Sequence, residues 1–175
     1  AMYTVVFIIP ILTMRTFSEE RKNGTEQLLL TSPRSSIAIT LGKFFAAALV
    51  VIIAEVCTLV YFGILCYFKV PDISAVAISM LGFLLLSMAY ISFGMFVSSL
   101  TENQIIAAIV TIGVFILTWL SPNVSTAFTK VCLMEQFYPF ITGKLPIAET
   151  INLILISVMF IVMTMIVIKR RKLLK

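Results

Sequence analysis

Histidine is absent from this chain, and charge of either sign is scarce: 13 Lys+Arg and 8 Asp+Glu in 175 residues leave a net charge of +5 and a charged fraction of only 12%. Without His the commonest proton shuttle at neutral pH and the commonest transition-metal ligand are both missing, so catalysis has few residues to rest on. Cysteine is almost as scarce. Cys57 and Cys66 would lie roughly 13 Å apart on one helix and cannot pair. With Cys132 in another segment and no CxxC spacing, the three read as packing residues rather than a redox or zinc site. What fills the space is apolar: 61% of the residues are hydrophobic and the mean hydropathy is +1.12, whereas a soluble domain runs at about half apolar and a quarter charged. An ordinary soluble enzyme, a disordered chain and a disulfide scaffold are excluded, which leaves a polytopic membrane protein.

A helix needs about 20 mostly apolar residues to cross the hydrocarbon layer. The charges are clustered, and between the clusters lie Phe44 to Phe68, broken by Glu55, then Ile73 to Leu100, Gln104 to Leu120 and Ile151 to Ile168. Ala1 to Met14 is too short alone. It opens on an apolar residue and reads as the second half of a helix whose beginning is missing; a cleaved signal peptide is disfavoured because no basic region precedes it. The expected class is therefore an all-α helix bundle with five spans present.

Orientation follows from the basic residues. With Arg15 to Lys43 on the cytoplasmic side, alternation puts Thr101 to Asn103 and the tail from Lys169 inside, and Lys69 to Asp72 and Ser121 to Ala148 outside. Ten of the 13 Lys+Arg then face the cytoplasm, and the reverse topology would leave three. The C-terminus is thus expected inside. Lys169-Arg170-Arg171-Lys172 directly follows an apolar helix, so it reads as a stop-transfer anchor on anionic lipid rather than a nucleic-acid patch.

The segment from 15 to 42 has the grammar of two helix ends with a short helix between them. Asn23 and Glu26 have capping-box spacing, and Gly24 permits a sharp turn. Ser32-Pro33 closes the element and starts the next helix, with Pro33 at its first position. A helix from Gly24 to Thr31 has only two turns and must be held by packing. Leu28, Leu29 and Leu30 spread over roughly 200° at 100° per residue, so one buried face cannot hide all three. Either the helix lies on lipid headgroups or a leucine docks into a cytoplasmic partner, and docking is the better reading.

These residues also carry a resemblance. Glu19-Glu20-Arg21-Lys22-Asn23-Gly24-Thr25-Glu26-Gln27-Leu28-Leu29-Leu30-Thr31-Ser32-Pro33, then Leu41-Gly42-Lys43-Phe44, Ser99 to Gln104 and the ending Phe140 to Lys172, closely resemble the permease subunits of ABC-2 type transporters, with the gliding-motility-associated permeases as the nearest branch. The resemblance implies one transmembrane domain over 1–175, normally of six spans, with the first span absent here. It implies pairing with a second permease copy or a homologous permease and with separate cytoplasmic ATPase subunits that carry the ATP and Mg. Gly24 to Thr31 would be the coupling helix seated on the ATPase, with Asn23, Thr25, Leu28, Leu29, Leu30 and Pro33 shaping it and Glu19, Glu20 and Glu26 as polar contacts. The residues agree on one negative: no G-x-x-x-x-G-K-[ST] loop occurs, since Gly42-Lys43 lacks both flanks of that motif.

Glu55 sits near the middle of an apolar run, where a charged carboxylate costs on the order of 2.5–3.5 kcal/mol on insertion scales. Three roles stay open for it: protonated and bonded to a neighbouring helix, facing a polar pathway, or relaying protons. Gly42 with Ala46, Gly94 with Ser98 and Ala107 with Thr111 are small pairs four apart that let backbones approach, within the bundle or at a dimer seam. The outer segment 121–148 is too apolar to float freely, and the resemblance suggests two short external helices there. Asn123-Val124-Ser125 matches a glycosylation triplet that arises easily by chance. The sequence therefore points to the membrane subunit of an ATP-driven exporter in a cell membrane, with no nucleic acid partner and no catalysis of its own. A secondary transporter or channel using Glu55, or a membrane anchor for an ATPase, are the alternatives.

Overall fold

The computed structural model describes residues 2–26, 35–68, 72–120, 132–141, 143 and 145–173. They form helices α1 (Met2–Lys22), α2 (Ser36–Phe68), α3 (Ile73–Leu100), α4 (Gln104–Leu120), a 3₁₀ turn (Glu135–Phe137) that runs into the single turn α5 (Tyr138–Ile141), and α6 (Ile147–Leu173). Among the described residues there is no strand. Three helices are long and apolar enough to cross a membrane, within Ser36–Ile64, Ile73–Leu100 and Ile147–Leu173; Gln104–Thr118 is a shorter apolar helix.

The helix boundaries depart from the sequence expectations in instructive ways. The first helix does not stop at the end of its apolar run but continues to Lys22, about two turns further. It ends where Gly24 takes φ +71°. Asn23 N–H donates to the Glu19 carbonyl and Gly24 N–H to that of Arg21, while Thr25 Oγ1 donates to the Glu20 carbonyl. This is a glycine-based C-cap, in which the left-handed residue lets the chain fold back onto the last orphan carbonyls. The capping box expected from Asn23 and Glu26 is therefore not formed: the Asn23 N–H is already bound to Glu19, and the Glu26 carboxylate is paired elsewhere. Likewise the N-cap of α2 is Ser35 rather than Ser32, because α2 starts at Ser36 and Ser35 Oγ accepts from Ala38 N–H, three positions on as a cap requires. Asp72 caps α3 through Ser74, and Asn103 Oδ1 caps α4 through Ile105 N–H.

Helix α3 is the axis of the fold and packs against every other element. Its fully buried residues include Leu86, Ala89, Tyr90 and Ile91, and its small residues set the closeness of approach. A Cβ on Gly94 would overlap the Thr13 side chain of α1, and one on Gly82 would lie 2.5 Å from Phe140. The Gly94/Ser98 pair thus serves packing within the chain: Ser98 Oγ accepts from the N–H groups of Phe17 and Ser18 and donates to the Met14 carbonyl. In hydrocarbon such shape and hydroxyl contacts replace the hydrophobic drive of water. Aromatic rings knit α3 to its other neighbours, Tyr90 with Phe115 on α4 at 4.0 Å between centroids and Phe93 with Phe160 on α6 at 5.1 Å.

At the far end of α3 from Leu100, the segment after Cys132 folds into the bundle. Cys132, Leu133, Met134, Phe137 and Phe140 are buried, and the Phe140 carbonyl accepts from Ser79 Oγ, which explains why this segment is so apolar. Its described part is one 3₁₀ turn leading into one helical turn; residues 121–131, including the Asn123 triplet, lie outside the described residues. Cys132 packs as expected. Cys57 and Cys66 do not: both are free thiols on the exposed face of α2.

Candidate functional site

Two places gather the polar groups. The first is the end of the bundle formed by the close of α1, the start of α2, the turn between α3 and α4, and the last turns of α6. Opposite charges from these separate segments meet there. Arg21 pairs with Glu102 at 2.6 Å and with Glu26 at 3.5 Å, and Arg171 pairs with Glu26 at 3.2 Å. Lys43 of α2 pairs with Glu20 of α1, donates to the Thr16 carbonyl, and lies 4.3 Å from the centre of the Phe17 ring. The segments that the charge pattern assigned to one side of the membrane are thus joined at one end of the molecule.

These side chains are half-buried except for the exposed Glu102, and because the pairs join separate segments they fix the register of the helix ends. Glu26, the helical residue that follows the turn at Asn23, Gly24 and Thr25, is held against both α1 and α6. Of the coupling-helix candidates, Glu20 and Glu26 are engaged within the chain, while Glu19 is half-buried on α1 and Asn23 and Thr25 stand exposed beside Gly24. Leu28, Leu29, Leu30 and Pro33 lie outside the described residues. Sequence reading used Arg21, Lys43 and Arg171 to set orientation, took Arg171 as part of a lipid anchor, and met Glu102 only within the family resemblance. Their pairing depends on which helix ends meet, and no local pattern encodes that.

The second place is a cleft of about 750 Å³ in the other half of the bundle. Its walls are Ile8 to Leu12 on α1, Val50 to Thr58 on α2 and Ala75 to Ser87 on α3, and Phe137 and Ile141 close its far end. The cleft exists because α2 packs only over its first half. Thr40, Phe44, Ala47 and Ala48 are buried, and Glu55 is the last buried residue of α2 among those described. Beyond it, Val56, Val60, Tyr61 and Ile64 are exposed. Glu55 itself is 7% exposed and lines the cleft. Its Oε1 has no hydrogen-bond partner among the described residues, and neither has Ser87 Oγ on the facing wall. Among the described residues no hydrogen bond joins the Glu55 Oε1 to a neighbouring helix.

A chain with these features is a multi-pass membrane helix bundle, with an ion-paired end and a lateral apolar cleft. The model of the family described as ABC-2 family transporter protein matches residues 1–169. The chain belongs to that family, whose members are membrane permeases of ABC transporters. No curated protein and no solved structure matches it.

Proposed function

We propose that this chain is the membrane subunit through which separate cytoplasmic ATPases drive export, working with a second permease copy or a homologue. The observation that carries the reading is the position of Glu26. It begins the loop after α1 and is tied to Arg21 and Arg171, while Arg21 reaches on to Glu102 and the Leu100 carbonyl. A partner that moves this loop therefore pulls on α1, α6 and the α3–α4 turn together. We assign ATPase docking to Leu28, Leu29 and Leu30, while Glu20 and Glu26 tie the end of α1 and the Gly24 turn to the bundle. ATP and Mg stay on the ATPase, and this chain supplies the pathway. The likeness to gliding-motility-associated permeases fits a bacterial inner-membrane exporter of this type, with its ion-paired end and C-terminus in the cytoplasm.

Two variants test this. Leu29→Asp removes docking, so the permease inserts normally but no longer co-purifies with its ATPase. Glu26→Lys places a third cation beside Arg21 and Arg171; it leaves the ATPase bound but lowers transport per ATP hydrolysed. A Glu26→Lys, Leu29→Asp double variant that still co-purified with a fully stimulated ATPase would overturn the docking assignment.

The unpartnered Glu55 favours one other reading, a secondary transporter. Uptake or efflux that followed a proton gradient without ATP, and stopped in Glu55→Gln, would establish that reading instead.

A further inference from the structure

The cleft beside Glu55 has the dimensions and chemistry of a ligand site. Its volume of about 750 Å³ lies within the roughly 300–1,000 Å³ typical of small-molecule pockets. The α3 wall from Ala75 to Ser87 runs for roughly 18 Å at about 1.5 Å per residue. The lining of the cleft is apolar except at a few points, and two of these, Glu55 on α2 and Ser87 on α3, carry buried oxygens with no partner among the described residues. Buried polar groups in native proteins are nearly always satisfied, so two orphan oxygens lining one cavity call for an explanation, and a bound ligand supplies one.

The charge of that partner follows from what surrounds Glu55. A carboxylate taken out of water costs several kcal/mol unless a cation or donor meets it. Among the described residues none meets it: Lys43 stands twelve positions earlier on α2, roughly 18 Å along the helix, and is committed to Glu20. The basic residues of α6, Lys169 to Lys172, lie in its last five residues, at the opposite end from the cleft. Thr58, the nearest hydroxyl on α2, donates to the Glu55 main-chain carbonyl and not to its side chain. A ligand that fits must therefore bring its own donor, inside a body apolar enough to lie against Ile8, Leu12, Val51 and Phe83.

We propose that this cleft binds one lipophilic ammonium, its apolar body lying between α1, α2 and α3 and its N–H group held at the Glu55 carboxylate, with Ser87 Oγ as a second polar contact. Glu55 Oε1 and Ser87 Oγ have no partner among the described residues, and the ligand completes them. The proposal deepens the permease reading by naming a cargo class, but binding needs no ATPase, so it fails or stands separately from the docking assignment.

The experiment uses the full chain in lipid nanodiscs with two fluorescent probes, rhodamine 6G, a lipophilic cation with N–H donors, and Nile red, a neutral dye. Fluorescence polarisation is expected to show saturable binding of rhodamine 6G at one site per chain. Glu55→Gln should weaken it by about tenfold or more, as the loss of a charge-assisted hydrogen bond requires, while Glu55→Asp retains most of the affinity. Glu55→Gln should leave Nile red unaffected. Val51→Trp, which fills the cleft, should exclude both dyes. Met80→Trp fills it from the α3 side and replaces that variant if Val51→Trp does not elute as a single species. The proposal is overturned if rhodamine 6G only partitions without saturation, or if Glu55→Gln binds it as tightly as the unaltered chain. It is equally overturned if a cysteine placed at Val51 crosslinks to a second copy while the dye stays excluded, for then the cleft belongs to a permease–permease interface.

Discussion

The two sides of α3 are built on opposite terms. Toward α1 it presents Gly94 and Ser98, so backbones meet closely and Ser98 joins Phe17, Ser18 and Met14 through its hydroxyl. Toward the outer half of α2 it presents Ser79, Met80, Phe83 and Ser87 across an open cleft, with a carboxylate on the far wall. One contact leaves no room and no unsatisfied group; the other leaves both. Interfaces that hold a membrane bundle together and interfaces that admit something else thus use the same small and polar residues. Whether the partner is present in the chain is what separates them.

This contrast can be broken experimentally. The largest effect is expected at the tight contact, where Gly94→Leu forces a side chain into Thr13. Such overpacking costs on the order of 3 kcal/mol, read as a fall in the thermal midpoint of the purified protein and loss of a single elution peak. An unaltered midpoint would show that α1 is not fastened there. At the cleft the sign reverses. Glu55→Leu removes a buried group that the fold does not satisfy, so it should stabilise the bundle by about 2 kcal/mol; a destabilised variant would reveal a partner for Glu55. The smallest effect belongs to the exposed face of α2, where a Cβ on Gly63 meets nothing within 4 Å. There Gly63→Leu should change stability by no more than about 0.5 kcal/mol. A larger loss accompanied by a change in oligomeric state would mean that a second copy covers this face.

The ion-paired end shows how far local pattern reaches. Charge clustering was enough to group Arg21, Glu26, Glu102 and Arg171 on one side, because every span that alternates across a membrane returns its flanks to one of two sides. It could not say that Glu26 turns toward Arg21 and Arg171 rather than back to the Asn23 N–H. Capping-box spacing and a glycine C-cap overlap in Asn23-Gly24-Thr25-Glu26, and the preceding helix, already formed through Lys22, took the Asn23 N–H for itself. In the same way Ser32-Pro33 was read as the start of α2, whereas Ser35 caps it by accepting from the Ala38 N–H. Cys57 and Cys66 failed as packing residues for a tertiary reason. An apolar run is apolar on every face, so nothing in it says which face turns inward.

By itself, then, the sequence determined that this is a multi-pass helical membrane protein, where its apolar runs lie, which loops share a side, and that Glu55 is costly where it stands. These follow from hydropathy and charge, which act residue by residue against the bilayer. Only the tertiary structure decided that α3 is the axis, that Gly94 is filled by Thr13 while Gly63 faces open space, and that Glu55 lines a cleft with its Oε1 unpartnered among the described residues. In hydrocarbon, burial no longer distinguishes one apolar face from another, so shape and hydrogen bonding between particular helices make those choices.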